Sequence, residues 1–165
     1  MSGTQLRTEE SLEDRTVDTV LVAVGREDRD RVVRLAEEAV AVAAPADATV
    51  VLAHVFREDE YADVLDSLGI GPDDEVTVDE VAARHAATRD IVSLLDGVDV
   101  EYVVRGAVDD RADGVIGLAE AVGADRVVVG GRHRSPAGKA VFGSVAQEVL
   151  LSAPCPVTFV RGDAD

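Results

Sequence analysis

Residues 19–24 read TVLVAV, residues 48–56 read ATVVLAHVF and residues 126–129 read RVVV. These are short apolar runs rich in β-branched residues. Between the first two, the apolar residues step by three and four along the chain, as they do on one face of a helix. This alternation predicts an α/β domain, and nearly continuous apolar runs are typical of parallel strands that helices cover on both faces.

Two further runs alternate apolar with polar residues, namely VDVEYVV at residues 98–104 and VTFV at residues 157–160. Such alternation indicates a strand with one face exposed to solvent, which is typical of the edge of a sheet. With right-handed crossovers, we predict a Rossmann-like fold of five parallel strands in the order 3-2-1-4-5, with helices on both faces. The chain would reverse direction between strands 1 and 4. Open α/β sheets bind ligands in the crevice at such a point.

We expect one domain over residues 17–161, preceded by a disordered acidic leader over residues 1–16. Residues 57–74 read REDEYADVLDSLGIGPDD, and their acids and turn residues predict a loop with at most a helical turn. The apolar spacing over residues 75–95 predicts a single second helix. The last helix is predicted to begin at Ser144, with Gln147 completing a capping-box spacing.

The charge of the chain limits its partners. It has 165 residues, with 33 acids against 16 lysines and arginines. The resulting formal net charge of −17 argues against nucleic acid as a binding partner. Lys139 is the only lysine, and such acid-rich, lysine-poor composition is typical of adaptation to high salt. A single cysteine, Cys155, and no signal-like or membrane-spanning apolar stretch predict a cytoplasmic protein that binds no membrane.

One segment differs in charge from the rest of the chain. Residues 126–147 contain no acid, while Arg132, Arg134 and Lys139 are cationic and His133 lies among them. Glycines let a backbone approach a ligand closely, and a helix N-terminus offers free N–H groups to a phosphate. The segment has four glycines and leads into the last helix, so it predicts a site for a nucleotide or another phosphorylated small molecule.

Residues 130–144 read GGRHRSPAGKAVFGS. This layout resembles the universal stress protein family, whose ATP-binding members carry G-x-x-G, nine residues and then G-[S/T] after strand 4. The resemblance also covers AHV at residues 53–55, the predicted Arg105-Gly106 turn and PCPVTFV at residues 154–160. It implies the adenine nucleotide alpha hydrolase-like form of the fold, a cytoplasmic location and ATP as cofactor, with or without Mg²⁺ or Mn²⁺.

Two positions depart from the family pattern. His133 stands at the second glycine, where a side chain intrudes on the approach of backbone to phosphate. Gly25 stands where ATP-binding relatives often carry Asp, which removes an acceptor for a ribose hydroxyl. His133, Arg134 and Lys139 offer side-chain contacts to phosphate in place of backbone contacts.

The resemblance implies a nucleotide site with two parts. The base and ribose would be bordered by Ala23, Gly25, Val55 and Val129. The ribose and phosphates would be held by Gly130, Gly131, His133, Gly143, Ser144 and Val145, with cationic contacts from Arg132, Arg134 and Lys139. No catalytic residue and no metal site is predicted, and His54 and His85 are interpreted as structural.

The leading hypothesis is a regulator or sensor in a stress response that binds ATP or a related adenine nucleotide. The resemblance implies a homodimer through the last strand, formed by Val157, Thr158, Phe159 and Val160. One alternative is a dimeric interaction module that has lost nucleotide binding and has no cofactor. A second is a slow ATPase, for which the sequence offers binding groups but no catalytic base.

Overall fold

The computed structural model describes residue 12 and residues 15–131 and 143–162. The strands in this part of the chain are β1 (Thr19–Ala23), β2 (Thr49–Phe56), β3 (Tyr102–Val108), β4 (Arg126–Gly131) and β5 (Val157–Arg161). A 3₁₀ helix (Arg26–Arg31) precedes the α-helices, which are α1 (Val32–Ala46), α2 (Glu58–Ser67), α3 (Val78–Ala83), α4 (Ala86–Leu95), α5 (Arg111–Val122) and α6 (Ser144–Ser152).

The five strands form one parallel sheet in the order β3-β2-β1-β4-β5, which confirms the predicted topology. In the register, Val22 of β1 pairs with Leu52 of β2 on one side and Val128 of β4 on the other. β1 therefore lies in the middle of the sheet. The chain reverses direction between β1 and β4, as the strand patterns indicated.

Helices cover both faces of the sheet, and the strand residues alternate between two cores. Val20 and Val22 belong to the core under α1 and α4, whereas Leu21 and Ala23 belong to the core under α5 and α6. Both sets are buried, which explains why β1 is apolar without alternation. In the part of the chain that the structure describes, no helix combines the length and apolar character needed to cross a membrane.

The prediction of a loop over residues 57–74 was wrong, because α2 occupies Glu58–Ser67. One face of this helix packs against a small core that contains Phe56, and its residues are Tyr61, Val64 and Leu65. Three acids in the first turn suit the positive end of the helix dipole. The acidic composition that argued for a loop thus lies on the exposed side of an amphipathic helix.

The single helix predicted over residues 75–95 is two helices. Thr77 caps α3 through a capping box with Glu80, and the helix ends at Ala83. His85 then adopts an extended backbone conformation (φ −63°, ψ 134°) before α4 begins. The continuous apolar spacing concealed this break, because both helices present apolar residues to the same side of the sheet.

The third strand begins at Tyr102 and not at Val98, and it extends to Val108. The Val98 and Val100 N–H groups donate to carbonyls within residues 95–98, so this segment forms a turn instead of pairing with β2. Arg105 and Gly106 lie inside β3, where the sequence predicted a turn after the strand. The edge position of β3 was predicted correctly.

Candidate functional site

A cleft of about 450 Å³ opens at the carboxyl ends of β1, β2 and β4. It lies at the point where the chain reverses direction between β1 and β4, which is the crevice that the topology predicted. Its apolar lining comes from the last residues of the strands and from the first turns of α5 and α6, and includes Ala23, Ala53, Val55, Val115 and Val129. The fold thus provides an apolar floor between backbone ends.

Thirteen site residues were predicted, and nine of them lie within the described residues. All nine line this cleft: Ala23, Gly25, Val55, Val129, Gly130, Gly131, Gly143, Ser144 and Val145. They come from β1, β2, β4 and α6, which are far apart in the sequence. The other four, Arg132, His133, Arg134 and Lys139, lie outside the described residues.

The N-terminus of α6 points into the cleft, although its cap differs from the prediction. Gly143 is the N-cap residue, and Ser144 is the first residue of the helix, so Ser144 cannot cap it. The Gly143 carbonyl accepts a hydrogen bond from the Gln147 N–H. No side chain of the described residues caps the helix and its first turn carries no acid, so its free N–H groups are available to an anion.

A buried ion pair that the sequence pattern did not indicate lies in the wall of the cleft. Arg31 Nε donates to Asp28 Oδ1 at 2.5 Å, and the Gly25 N–H donates to Asp28 Oδ2 at 2.6 Å. The two side chains are 10% (Asp28) and 9% (Arg31) exposed. Asp28 thereby places a carboxylate beside Gly25, the position where the family pattern often has Asp and this sequence has glycine.

Gly130 leaves the space that this ion pair occupies. A Cβ atom added at Gly130 would lie 2.7 Å from Arg31 Nε and 2.9 Å from Asp28 Oδ1. At Gly162, it would lie 3.1 Å from Arg31 Nη1. Arg31 is therefore packed between the ends of β4 and β5. The glycine predicted to let backbone approach a ligand also lets the backbone approach this arginine.

His54 lies below the cleft and is buried, as its apolar neighbours predicted. Its Nδ1 atom is 2.6 Å from the Val24 carbonyl oxygen, which requires the Nδ1–H form. The ring stacks on His85 with centroids 3.9 Å apart and meets Phe56 edge to face. Burial lowers the pKa of His54, so the ring is neutral near pH 7.

The lining of the cleft is cationic although the chain is acidic. Of the described residues, four arginines (Arg26, Arg31, Arg57 and Arg111) and two acids (Glu27 and Asp28) line it, whereas the whole chain has 33 acids and 16 lysines and arginines. None of the four lies in the basic loop that the sequence singled out. The segment REDRDR at residues 26–31 contains two of them, but its mixed charges resembled an ordinary solvated surface.

The described residues offer no protein cage for a metal ion. No group of three His, Cys, Asp or Glu side chains among them is placed to hold one. A divalent ion in this cleft would therefore depend on oxygen ligands from a bound molecule, as Mg²⁺ often does with phosphates. The donors available from the described part of the chain suit an anion directly.

Comparison with known proteins gives this chain a family. The model of the universal stress protein family matches residues 16–161. A universal stress protein of Mycolicibacterium smegmatis is 35% identical over 85 residues, which are 51% of this chain and 65% of that protein. The aligned part of the chain thus spans less than two thirds of this curated relative.

Solved structures agree on the fold. The universal stress protein from Archaeoglobus fulgidus is 26% identical (TM-score 0.56, covering 87% of this chain and 98% of that one). A structure of the protein from that organism in complex with dAMP is 23% identical (TM-score 0.53, coverage 89% and 100%). A family protein from Arabidopsis thaliana with AMP bound is 17% identical (TM-score 0.59, coverage 90% and 94%). Because the family model matches nearly the whole length of the chain, the chain belongs to the universal stress protein family.

Proposed function

We propose that this protein binds an adenine nucleotide, ATP or a close relative, in the cleft at the ends of β1 and β4 and acts as a regulator or sensor. The observation that carries the proposal is the shape and charge of the cleft. An apolar floor, a free helix N-terminus and a surplus of arginines converge there in a chain of net charge −17. The dAMP and AMP complexes of family members add support.

Each part of a nucleotide has a matching surface. The base would lie against the apolar floor near Ala23 and Val55, with Val129 behind it. The phosphates would lie at the N-terminus of α6, where Ser144 and Val145 offer N–H groups and the helix dipole favours negative charge. Gly130, Gly131 and Gly143 would border the ribose and phosphates, with Arg132, His133, Arg134 and Lys139 as cationic partners.

The departure at Gly25 does not deprive the cleft of a carboxylate. Asp28 accepts the Gly25 N–H and lines the cleft. Its two oxygens each accept one hydrogen bond from the protein, and each carboxylate oxygen has a second lone pair. Asp28 can thus accept a hydroxyl of a bound sugar.

The first experiment identifies the ligand. The protein is purified in multimolar KCl, any co-purified small molecule is identified by mass spectrometry, and ATP, ADP and AMP are titrated into the emptied protein by calorimetry. The variant Gly143→Val tests the location. An added Cβ at Gly143 meets no atom of the described residues within 4 Å, so we expect the side chain to obstruct the ligand and not the fold.

Gly117→Val is the matched control, because Gly117 is exposed on α5, outside the cleft, and also has open space around it. We expect adenine nucleotide binding by the native chain and by Gly117→Val, and at least a tenfold weaker affinity in Gly143→Val, which corresponds to about 1.4 kcal/mol. An empty cleft with no heat on titration of any adenine nucleotide would overturn the proposal.

A second candidate function is a dimeric interaction module without a nucleotide. The observation that favours it is the Asp28–Arg31 pair, which fills the space beside Gly130. This candidate predicts that Gly143→Val retains the biological activity of the protein. A slow ATPase is a third candidate, for which phosphate release above a control without protein, abolished by changing Ser144, is the required result.

We further propose that the protein acts in the cytoplasm as a homodimer that pairs through β5, in a cell interior of high salt. The edge position of β5 and the large surplus of acids support these two features.

A further inference from the structure

Three of the four arginines of the cleft lie at two separate ends. Arg31 packs on Gly130 of β4, and its Nε is bonded to Asp28, which leaves the Nη groups of its guanidinium as donors. Arg57 and Arg111 lie at the other end, beyond the last residue of β2. β1 lies between β2 and β4, so these two strands are two strand spacings apart, or about 10 Å.

Backbone contacts hold the two arginines at the β2 end. Arg57 follows β2 directly, and the Asp109 N–H donates to the Phe56 carbonyl at 2.9 Å, which fixes the start of α5 against the end of β2. Arg111, the first residue of α5, is thereby held at the cleft. The backbone of both arginines is thus held on one side of the apolar floor.

These two arginines retain donors for a ligand. Arg111 Nη2 donates to Glu60 Oε1, whereas Arg111 Nε is buried and has no hydrogen-bond partner among the described residues. The Arg57 side chain is exposed, and no carboxylate in the described part of the chain lies within ion-pair distance of it. Among the described residues, Glu60 is the one carboxylate within ion-pair distance of either guanidinium group.

A guanidinium group binds phosphate through paired N–H donors, and two neighbouring guanidinium groups suit a dianion better than a neutral base edge. The nucleotide proposed above already has its 5′ phosphates at the N-terminus of α6. We propose that Arg57 and Arg111 form a second phosphate subsite, so that the cleft selects adenine nucleotides phosphorylated on the 2′ or 3′ hydroxyl as well as at the 5′ position. This inference rests on the proposed function.

The experiment compares ligands that differ by one phosphate. AMP, adenosine 2′,5′-bisphosphate and adenosine 3′,5′-bisphosphate are titrated by calorimetry into the full chain at one fixed salt concentration. The same titrations are made on the double variant Arg57→Gln/Arg111→Gln, and on Arg89→Gln as a matched control, because Arg89 lies on α4 and does not line the cleft.

We expect one bisphosphate to bind about tenfold more tightly than AMP, as a charge-assisted contact of this kind provides. In the double variant the preference should fall to about unity, and Arg89→Gln should retain the preference. If the double variant unfolds, the single variant Arg57→Gln, whose exposed side chain has no partner in the described part of the chain, must lower the preference at least threefold.

Three results overturn the inference, and they differ from one another. If AMP binds but neither bisphosphate is preferred, the second subsite is refuted and the proposed function stands. If a preference exists but survives in the double variant, or in Arg57→Gln where the double variant unfolds, these arginines are the wrong residues. If neither AMP nor either bisphosphate gives heat, the inference and the proposed function are refuted together.

Discussion

His85 titrates unusually because of where its ring lies. It stacks on the buried ring of His54, and its Nδ1 atom is buried with no hydrogen-bond partner in the described part of the chain. Burial, followed by the charges of His54, Arg26 and Arg29, lowers the pKa of His85 to about 4. Protonation therefore favours the unfolded chain, in which the pKa is about 6.5.

The sign gives a prediction for stability against pH. The contribution of a neutral His85 is complete above pH 6.5 and is lost as the pH falls from 6.5 towards 4, because the unfolded chain then binds the proton more readily. We expect the melting temperature of the native protein to fall further between pH 7.5 and pH 5 than the melting temperature of His85→Phe. Phenylalanine keeps a ring against His54 and does not titrate.

The measurement is a pair of thermal unfolding curves for each protein at both pH values in the same salt. Carboxylates that titrate in this range are common to both proteins, so the difference between the two decreases isolates position 85. Equal decreases in the native protein and His85→Phe would show that His85 does not carry the pH dependence.

At the scale of residues, sequence could predict which backbone ends meet but not which side chains fill the space between them. Gly25, Gly130 and Gly143 were found from their place in the pattern, and all three line the cleft. Asp28 and Arg31 were missed, because REDRDR resembles a solvated segment. Only the contact of Arg31 with Gly130, about a hundred positions away, makes the pair buried.

At the scale of elements, α3 and β3 approach each other more closely than a side chain allows. A Cβ added at Gly106 would lie 2.6 Å from the Val78 carbonyl oxygen and 2.9 Å from its carbon, both backbone atoms. The Gly106 N–H donates to Asp79 Oδ1 at 2.7 Å, which fixes the first turn of α3 on the strand. The glycine is therefore required by packing between two elements.

Gly106→Ala should lower the free energy of unfolding by about 2 kcal/mol, because overpacking of this kind forces backbone to move. Gly117→Ala is the control. It lies on an exposed helix position with open space, where alanine should raise the free energy of unfolding by about 0.5 to 1 kcal/mol. Urea unfolding at fixed KCl measures both, and a Gly106→Ala variant as stable as the native chain would contradict the packing argument.

The elements that sequence predicted badly share one cause. The limits of α2, the break before α4 and the start of β3 all depend on contacts with elements distant in sequence or on a local turn within a periodic pattern. Tyr61 packs against a core that contains Val81 and Ala82 of α3, and His85 leaves the helix to stack on His54. Periodicity predicts which face of a helix or strand is buried, but it does not identify the element that covers that face.

At the scale of the whole molecule, topology was predictable because it follows from burial. Continuous apolar runs identified the inner strands, alternating runs identified β3 and β5 as edges, and this partition with right-handed crossovers fixed the order of the sheet. The same argument located the cleft before any side chain was known. Its charge was only partly predictable, because four arginines from three separate segments converge there on folding.

The exposed edge of β5 leads to a prediction for the assembly. β5 pairs with β4 on one side, and no described strand pairs with its other side. Open edges invite pairing with another chain, and a closed two-fold dimer satisfies them in a controlled way. We expect the native chain to have the mass of a dimer by light scattering in high salt.

In a two-fold pair of β5 strands, residues near the middle of the strand lie opposite their copies. Thr158→Lys places two like charges close together and should reduce the mass to that of a monomer, because directly opposed like charges destabilise strand pairs. Ser93→Lys, on the exposed side of α4, should leave the mass unchanged. A native chain of monomer mass, or a Thr158→Lys variant that stays dimeric, would exclude β5 as the interface.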